Sequence, residues 1–109
     1  MTTDLIKLVN PTVGKAIDAL QHANAREWLS LFVRNAIVYD HGNQMTAGEF
    51  IEKSAGNEHF ASIDKTENNG LAVFGHFHSK QLGDFQVCFR FHLNGKAKVS
   101  RLEIAQAVY

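Results

Sequence analysis

The sequence predicts an α+β fold, helices packed on an antiparallel sheet, and three observations point to it. The first half of the chain carries apolar residues at helical spacing behind recognisable N-terminal caps. The second half alternates apolar and polar side chains, most plainly over residues 84–93. Two pairs divide that half into hairpins: Asn69-Gly70, where Asn and Gly both accept the positive φ of a type I′ turn, and Asn94-Gly95, which turns the chain again. Helices first and strands afterwards is the order of an α+β domain.

The elements follow in order. Asn10 is an N-cap and Pro11 the first helical residue, where a missing N–H costs nothing. Val13, Ile17 and Leu20 recur on one face, with Ala16 and Ala23 beside them. Residues 3–9 add at most a short, separate helical turn. Asn24 and Glu27 form a capping box ahead of an apolar stripe of Trp28, Leu31 and Phe32. Residues 36–40 make a short strand, and His41-Gly42-Asn43 a turn. Thr46 and Glu49 repeat the capping box before Phe50, Ile51 and Ser54, and Gly56 suits the end of that third helix. Residues 59–67, 71–80, 84–93 and 99–108 are the strands of the sheet.

A chain of 109 residues, 45% hydrophobic and 20% charged, suits one domain over residues 1–109. Eleven Lys and Arg balance eleven Asp and Glu, which leaves no basic footprint for nucleic acid or anionic lipid. Zero net charge also removes one guard against self-association. The lone Cys88 has no intrachain disulfide partner, and no zinc-type Cys spacing exists. No apolar run approaches the roughly 20 residues of a membrane helix, and residues 1–10 lack a secretory pattern. The expectation is a soluble cytoplasmic protein with no nucleic-acid or membrane partner. No phosphate-cradling glycine loop is present, and no cofactor is expected.

Register decides where the histidines point. Phe85, Val87, Phe89, Phe91 and Leu93 share one face of the penultimate strand, and Asp84, Gln86, Cys88, Arg90 and His92 take the other. A two-residue loop at Asn69-Gly70 pairs Asn68 with Leu71, setting Ile63 opposite His76 and Ala61 opposite His78. A two-residue loop at Gln81-Leu82 then puts His76, His78 and Phe74 on the apolar face, with Val73, Phe77, Cys88 and Arg90 outside. A three-residue loop ending in Gly83 is the other reading, and a one-residue slip in either turn exchanges the faces.

Three stretches carry a resemblance. They are Trp28-Leu-Ser-Leu-Phe-Val-Arg-Asn-Ala-Ile-Val-Tyr-Asp-His-Gly42, Ala47-Gly-Glu-Phe50, and Phe89-Arg-Phe-His-Leu-Asn-Gly-Lys96 with residues 99–104. With the element order, they resemble the nuclear transport factor 2-like superfamily, which includes ketosteroid isomerase and SnoaL-like polyketide cyclases. The resemblance covers nearly the whole chain. It implies a cone-shaped, cystatin-like fold, three N-terminal helices on a curved antiparallel sheet. It also implies an apolar cavity between helices and sheet for a small organic ligand, and a homodimer through the outer sheet face. Asp40 falls where the isomerases carry a general base. Their oxyanion donors, a Tyr on the first helix and a protonated Asp on the penultimate strand, fall on Ala16 and Phe89. Without those donors the largest electrostatic contribution is missing, which argues against steroid isomerisation.

Asp40 is therefore the candidate general base, against the plainer role of a strand-end carboxylate capping a turn. His78 is the candidate donor. His76 and His78 stand on one strand face, as in some metal sites, but no third ligand completes a zinc set, so no metal is expected. Trp28, Phe60, His76, Phe89, Phe91 and Gln106 are expected to line the ligand pocket, although aromatics at such spacing also build ordinary cores. Three functions stay open, one of them a structural partner protein acting through an outer face of Val73, Phe77, Cys88 and Arg90, and the other two centred on the cavity. One is binding of a small apolar ligand without catalysis. The other is an isomerase or cyclase in which Asp40 takes a proton α to a carbonyl while His78, His76 or Gln106 polarises the oxygen.

Overall fold

The computed structural model describes residues 9–109, so the turn expected over residues 3–9 lies, Val9 apart, outside them. Helix α1 (Pro11–Gln21) begins at Asn10, whose side chain accepts from the N–H groups of Thr12 and Val13 at 3.0 and 3.1 Å. It buries Val13, Ala16, Ile17 and Leu20. Helix α2 (Ala25–Ser30) is capped by Asn24, which accepts from the Glu27 N–H at 3.1 Å. It ends at Leu31, and Phe32 already belongs to strand β1 (Phe32–Asp40), so the expected stripe is divided between a helix and a strand. Strand β2 (Asn43–Thr46) leads into α3 (Ala47–Ser54) through a complete capping box between Thr46 and Glu49. Strands β3 (Glu58–Glu67), β4 (Ala72–Ser79), β5 (Gly83–Leu93) and β6 (Val99–Gln106) follow.

The six strands lie in the order β2-β1-β6-β5-β4-β3. The sheet is mixed rather than purely antiparallel, because β1 runs parallel to β6. Between Phe32↔Val99 and Ile37↔Arg101, residues 33–36 of β1 span the step that β6 makes with Ser100 alone. That irregularity hides the alternation of the first half of β1, which is why only residues 36–40 read as a strand.

The β3–β4 hairpin starts in the expected register, with Glu67 opposite Ala72. Two bulges in β3 then shift it, so that Ser62 faces His76 and His59 faces His78. The β4–β5 hairpin pairs Ser79 with Gly83 around a three-residue loop, Lys80-Gln81-Leu82. The Ser79 hydroxyl oxygen accepts the N–H groups of Gln81 and Leu82 at 3.3 and 3.1 Å, and Gly83 takes φ +82°. This loop corrects the expected faces. Val73, Gly75 and Phe77 now stand opposite Phe89, Val87 and Phe85 on the inner face, and His76 and His78 stand outside, opposite Gln86 and Asp84.

The helices pack against the inner face over a core in which Trp28, Phe50, Phe60 and Phe89 are fully buried. A smaller apolar group on the outer face, Ala72, Phe74 and Cys88, is packed by Ala107. No helix among the described residues is long and apolar enough to cross a membrane.

Candidate functional site

Asp40 ends β1 between Ile104 of β6 and Asn43 of β2. The next two residues, His41 and Gly42, take φ 54° and 86° and close the β1–β2 hairpin as a two-residue turn of type I′ character. The His41 N–H donates to the Ile104 carbonyl at 2.9 Å, which fixes the turn to β6. Asp40 and His41 thereby line a cavity of about 170 Å³. Its apolar walls are Phe50, Phe77, Phe85, Phe89 and Ile104, and Lys53 and Glu58 join Asp40 and His41 on the polar side. Leu82, 65% exposed, sits at the lip.

Asp40 is only 8% exposed, and both carboxylate oxygens are engaged. His41 Nδ1 donates to Oδ1 at 2.9 Å, and Lys53 Nζ donates to Oδ2 at 2.5 Å. A carboxylate removed from water needs such partners, since burial without them would cost about 5 kcal/mol. Lys53 comes from α3, three residues beyond Phe50, and its ammonium lies 5.9 Å from the Phe50 ring centroid. The capping box sets where α3 starts, and so turns Phe50 to the core and Lys53 to Asp40. On the other polar wall, the fully buried Ser54 donates its hydroxyl to Glu58 Oε1 at 3.0 Å.

The arrangement can do two things. A space of about 170 Å³ lined by phenylalanines suits a single ring, since an apolar cavity of roughly 150 Å³ accepts benzene. With Nδ1 on Asp40, His41 keeps Nε2 for a ligand, which is how an oriented imidazole exchanges a proton. The Lys53 ammonium adds a positive group where negative charge could develop.

Of the residues expected from sequence, Asp40 and Phe89 line the cavity. Trp28, Phe60 and Phe91 are buried in the core around it. Trp28 stacks on Phe50 with ring centroids 5.4 Å apart and donates its indole N–H to the Ala47 carbonyl at 3.1 Å, so it supports a cavity wall. Gln106 keeps the alternation of Leu102 and Ile104 but is exposed at the last position of β6, outside the cavity lining. His76 and His78 are on the outer face. His41 and Lys53 line the cavity beside Asp40 instead. His41-Gly42-Asn43 reads as a turn in the sequence, and only the pairing of Asp40 with Asn43 brings His41 to the cavity wall. Lys53 had one signal, its position three residues after Phe50.

The outer face has a polar group of its own. Asp64 Oδ1 accepts from the Ser62 hydroxyl at 3.0 Å, and His76 Nδ1 lies 2.9 Å from Oδ2, which the Tyr109 hydroxyl also reaches. Burial pushes the Asp64 carboxyl up, yet the hydrogen bonds from Tyr109 and Ser62 and the nearby His76 together hold it below its ordinary value. Burial, then the hydrogen bond and charge of Asp64, push the Tyr109 phenol up to about 12. Burial raises the Cys88 thiol, which keeps it unreactive. Among the described residues no three His, Cys, Asp or Glu side chains stand close enough to hold a metal ion.

No family model matches the sequence, and no curated protein does. Solved structures match the fold closely. An NTF2-like protein of unknown function from Cytophaga hutchinsonii superposes with a TM-score of 0.75 at 11% identity, over 98% of this chain and 93% of its own. The chain has the nuclear transport factor 2-like fold. A candidate polyketide cyclase from Sinorhizobium meliloti shares that fold with a TM-score of 0.73 at 16% identity, over 86% of this chain and 93% of the cyclase. So does part of the canthaxanthin-binding orange carotenoid protein of Anabaena, with a TM-score of 0.74 at 18% identity, over 92% of this chain and 36% of that one. The nuclear transport factor 2-like fold is thus shared by proteins with a described ligand and proteins without one.

Proposed function

We propose that the cavity binds a small, largely apolar carbonyl compound about one ring in size, and that His41 moves a proton at the carbon next to its carbonyl. One observation carries this reading. A buried carboxylate, Asp40, stands on the wall of a phenylalanine-lined cavity with an imidazole on one oxygen and an ammonium on the other. His41 Nε2 takes the α-proton, and Asp40 holds the ring and balances the imidazolium that forms. The electron pair moves to the carbonyl oxygen, where the Lys53 ammonium favours the enolate. Return of the proton to carbon completes the exchange. Asp40 is then a positioning residue for His41 rather than the base itself. The φ of 54° at His41 adds support, since a turn of this kind prefers Asn or Gly there and unfavourable backbone often persists where a side chain is needed. The shared fold of a candidate polyketide cyclase supports a carbonyl ligand.

The test is hydrogen–deuterium exchange at the α-carbon of cyclohexanone in heavy water, followed by proton NMR. The wild type should accelerate exchange, and His41→Gln should remove about a hundredfold or more of that acceleration. Binding without exchange would make the chain a ligand carrier, and neither binding nor exchange would end the reading. We keep the homodimer as part of the proposal. Val73 and Phe77 are buried inside, so a second copy would meet Phe74 and the polar pairs of the outer face, and light scattering decides it.

A further inference from the structure

A second cleft of about 390 Å³ adjoins the cavity, lined by Lys53, Asn57, Glu58, Ser79, Lys80 and Gln81. Three of these, Lys53, Glu58 and Gln81, line the cavity as well, so the two spaces share a wall. Their chemistry differs. The cavity has six apolar side chains around a ring-sized space, Leu82 at the lip included, whereas every side chain of the cleft is polar. The cleft is built by two loops tied together, since the Lys80 N–H donates to the Asn57 carbonyl at 2.9 Å and Ser79 holds the Lys80-Gln81-Leu82 loop through two backbone N–H groups.

The charges point one way. Lys53 is matched by Asp40 on the cavity side, and Glu58 accepts the Ser54 hydroxyl. Lys80 is exposed and has no ion-pair partner among the described residues. With Lys53 held by Asp40 and the Glu58 carboxylate turned to Ser54, Lys80 is the cleft ammonium left for an anion, and the Gln81 amide is a further donor. An apolar ring seated against Phe77 and Phe89 fills a space of this size, and a substituent can pass Lys53 and Gln81, whose side chains line both spaces. We infer that the ligand of this site is amphipathic, a ring ketone bearing a short arm that ends in a carboxylate, the arm lying in the cleft and the carboxylate on Lys80. This rests on the carbonyl reading above and names the class of compound that would satisfy it.

The probes are 3-(2-oxocyclohexyl)propanoate, its methyl ester and cyclohexanone, titrated into the full chain by calorimetry at low salt. The acid should bind about fivefold tighter than the ester, the size expected of one exposed ion pair, and the margin should shrink in about 0.5 M salt. Lys80→Glu should erase the preference for acid over ester. Lys15→Glu, the same charge reversal on the exposed face of α1, should keep most of it. Equal binding of acid and ester by the wild type, no binding of the acid, or equal loss in the two variants would overturn the inference. These outcomes are read from binding alone. A failure of cyclohexanone exchange, or its survival in His41→Gln, would instead strike the proton-transfer reading.

Discussion

The inner face of the sheet carries the aspartate–histidine pair Asp40–His41, and the outer face carries Asp64–His76 and Asp84–His78; the first two have the same length. Asp40 Oδ1 and His41 Nδ1 are 2.9 Å apart, and so are Asp64 Oδ2 and His76 Nδ1. Their supports differ. Asp40 closes a strand and His41 opens a tight turn, whereas Asp64 is the residue that drops out of pairing between Ile63↔Gly75 and Lys65↔Phe74. A bulge of this kind re-aims its side chain. The third partners differ too, an ammonium from α3 for Asp40 and the Tyr109 and Ser62 hydroxyls for Asp64. Tyr109 lies edge-on to Phe74 at 5.5 Å, with the Lys65 ammonium 4.9 Å from the Phe74 centroid. The outer pair thus fastens residues 107–109 over Phe74 and Cys88, while the inner pair stands on the wall of a cavity. A pair's geometry does not assign its role; what adjoins it does.

The hardest blow to the outer pair comes from Gly75. A Cβ there would sit 2.2 Å from the Ser62 carbonyl oxygen and 3.0 Å from Cδ1 of Phe60, because the β3 bulges draw that strand close. Backbone cannot step aside as a flexible side chain can. Gly75→Ala should cost about 3 kcal/mol in urea unfolding, at the upper end for overpacking. It should also displace the His76 resonances more than those of His41. A loss under about 0.5 kcal/mol would mean that β3 does not approach so closely.

A smaller effect separates the pairs by pH. The Asp64 pKa is lowered in the fold, so its contribution is present above the unfolded value of about 4 and is lost as pH falls below it. The Tyr109 pKa is raised to about 12, so its contribution is present below the ordinary value of about 10 and is lost as pH climbs towards 12. The clasp over Phe74 therefore holds between those limits. Phenolate absorbance, wild type minus Tyr109→Phe, should show a midpoint about two pH units above an ordinary tyrosine. Asp64→Asn should bring it part of the way back, because burial remains. Tyr109→Phe should cost about 1 kcal/mol, the usual net value of one hydrogen bond.

The two pairs also mark how far the sequence could be read. Whatever depends on near neighbours was legible: the Asn10-Pro11 start, the Thr46–Glu49 capping box, the alternation of β5, and Asp40 at a strand end. Whatever depends on a count across space was not. One residue more in the β4–β5 loop, held by the Ser79 hydroxyl, turned His76 and His78 outward and brought Val73 and Phe77 in. The bulge at Asp64 and the parallel pairing of β1 with β6 leave no local periodicity to detect. Lys53 reaches Asp40 from thirteen residues away, on another element, where no spacing rule of one helix or strand could find it.

The smallest effect on stability is the most telling for function. His41 holds φ 54° ahead of Gly42, the place where Asn is favoured in such a turn. His41→Asn should relieve the turn and lose the imidazole contact with Asp40, two opposing changes of about 0.5–1 kcal/mol each that leave stability within about 0.5 kcal/mol of wild type. His76→Asn has no such compensation, because a central strand position disfavours Asn and the contact with Asp64 is lost as well; it should cost about 1 kcal/mol. If the cavity pair moves protons, His41→Asn loses ketone exchange while the fold is untouched, and His76→Asn weakens the fold while exchange survives. The reverse pattern would assign the chemistry to the outer face and leave His41 as a turn residue alone.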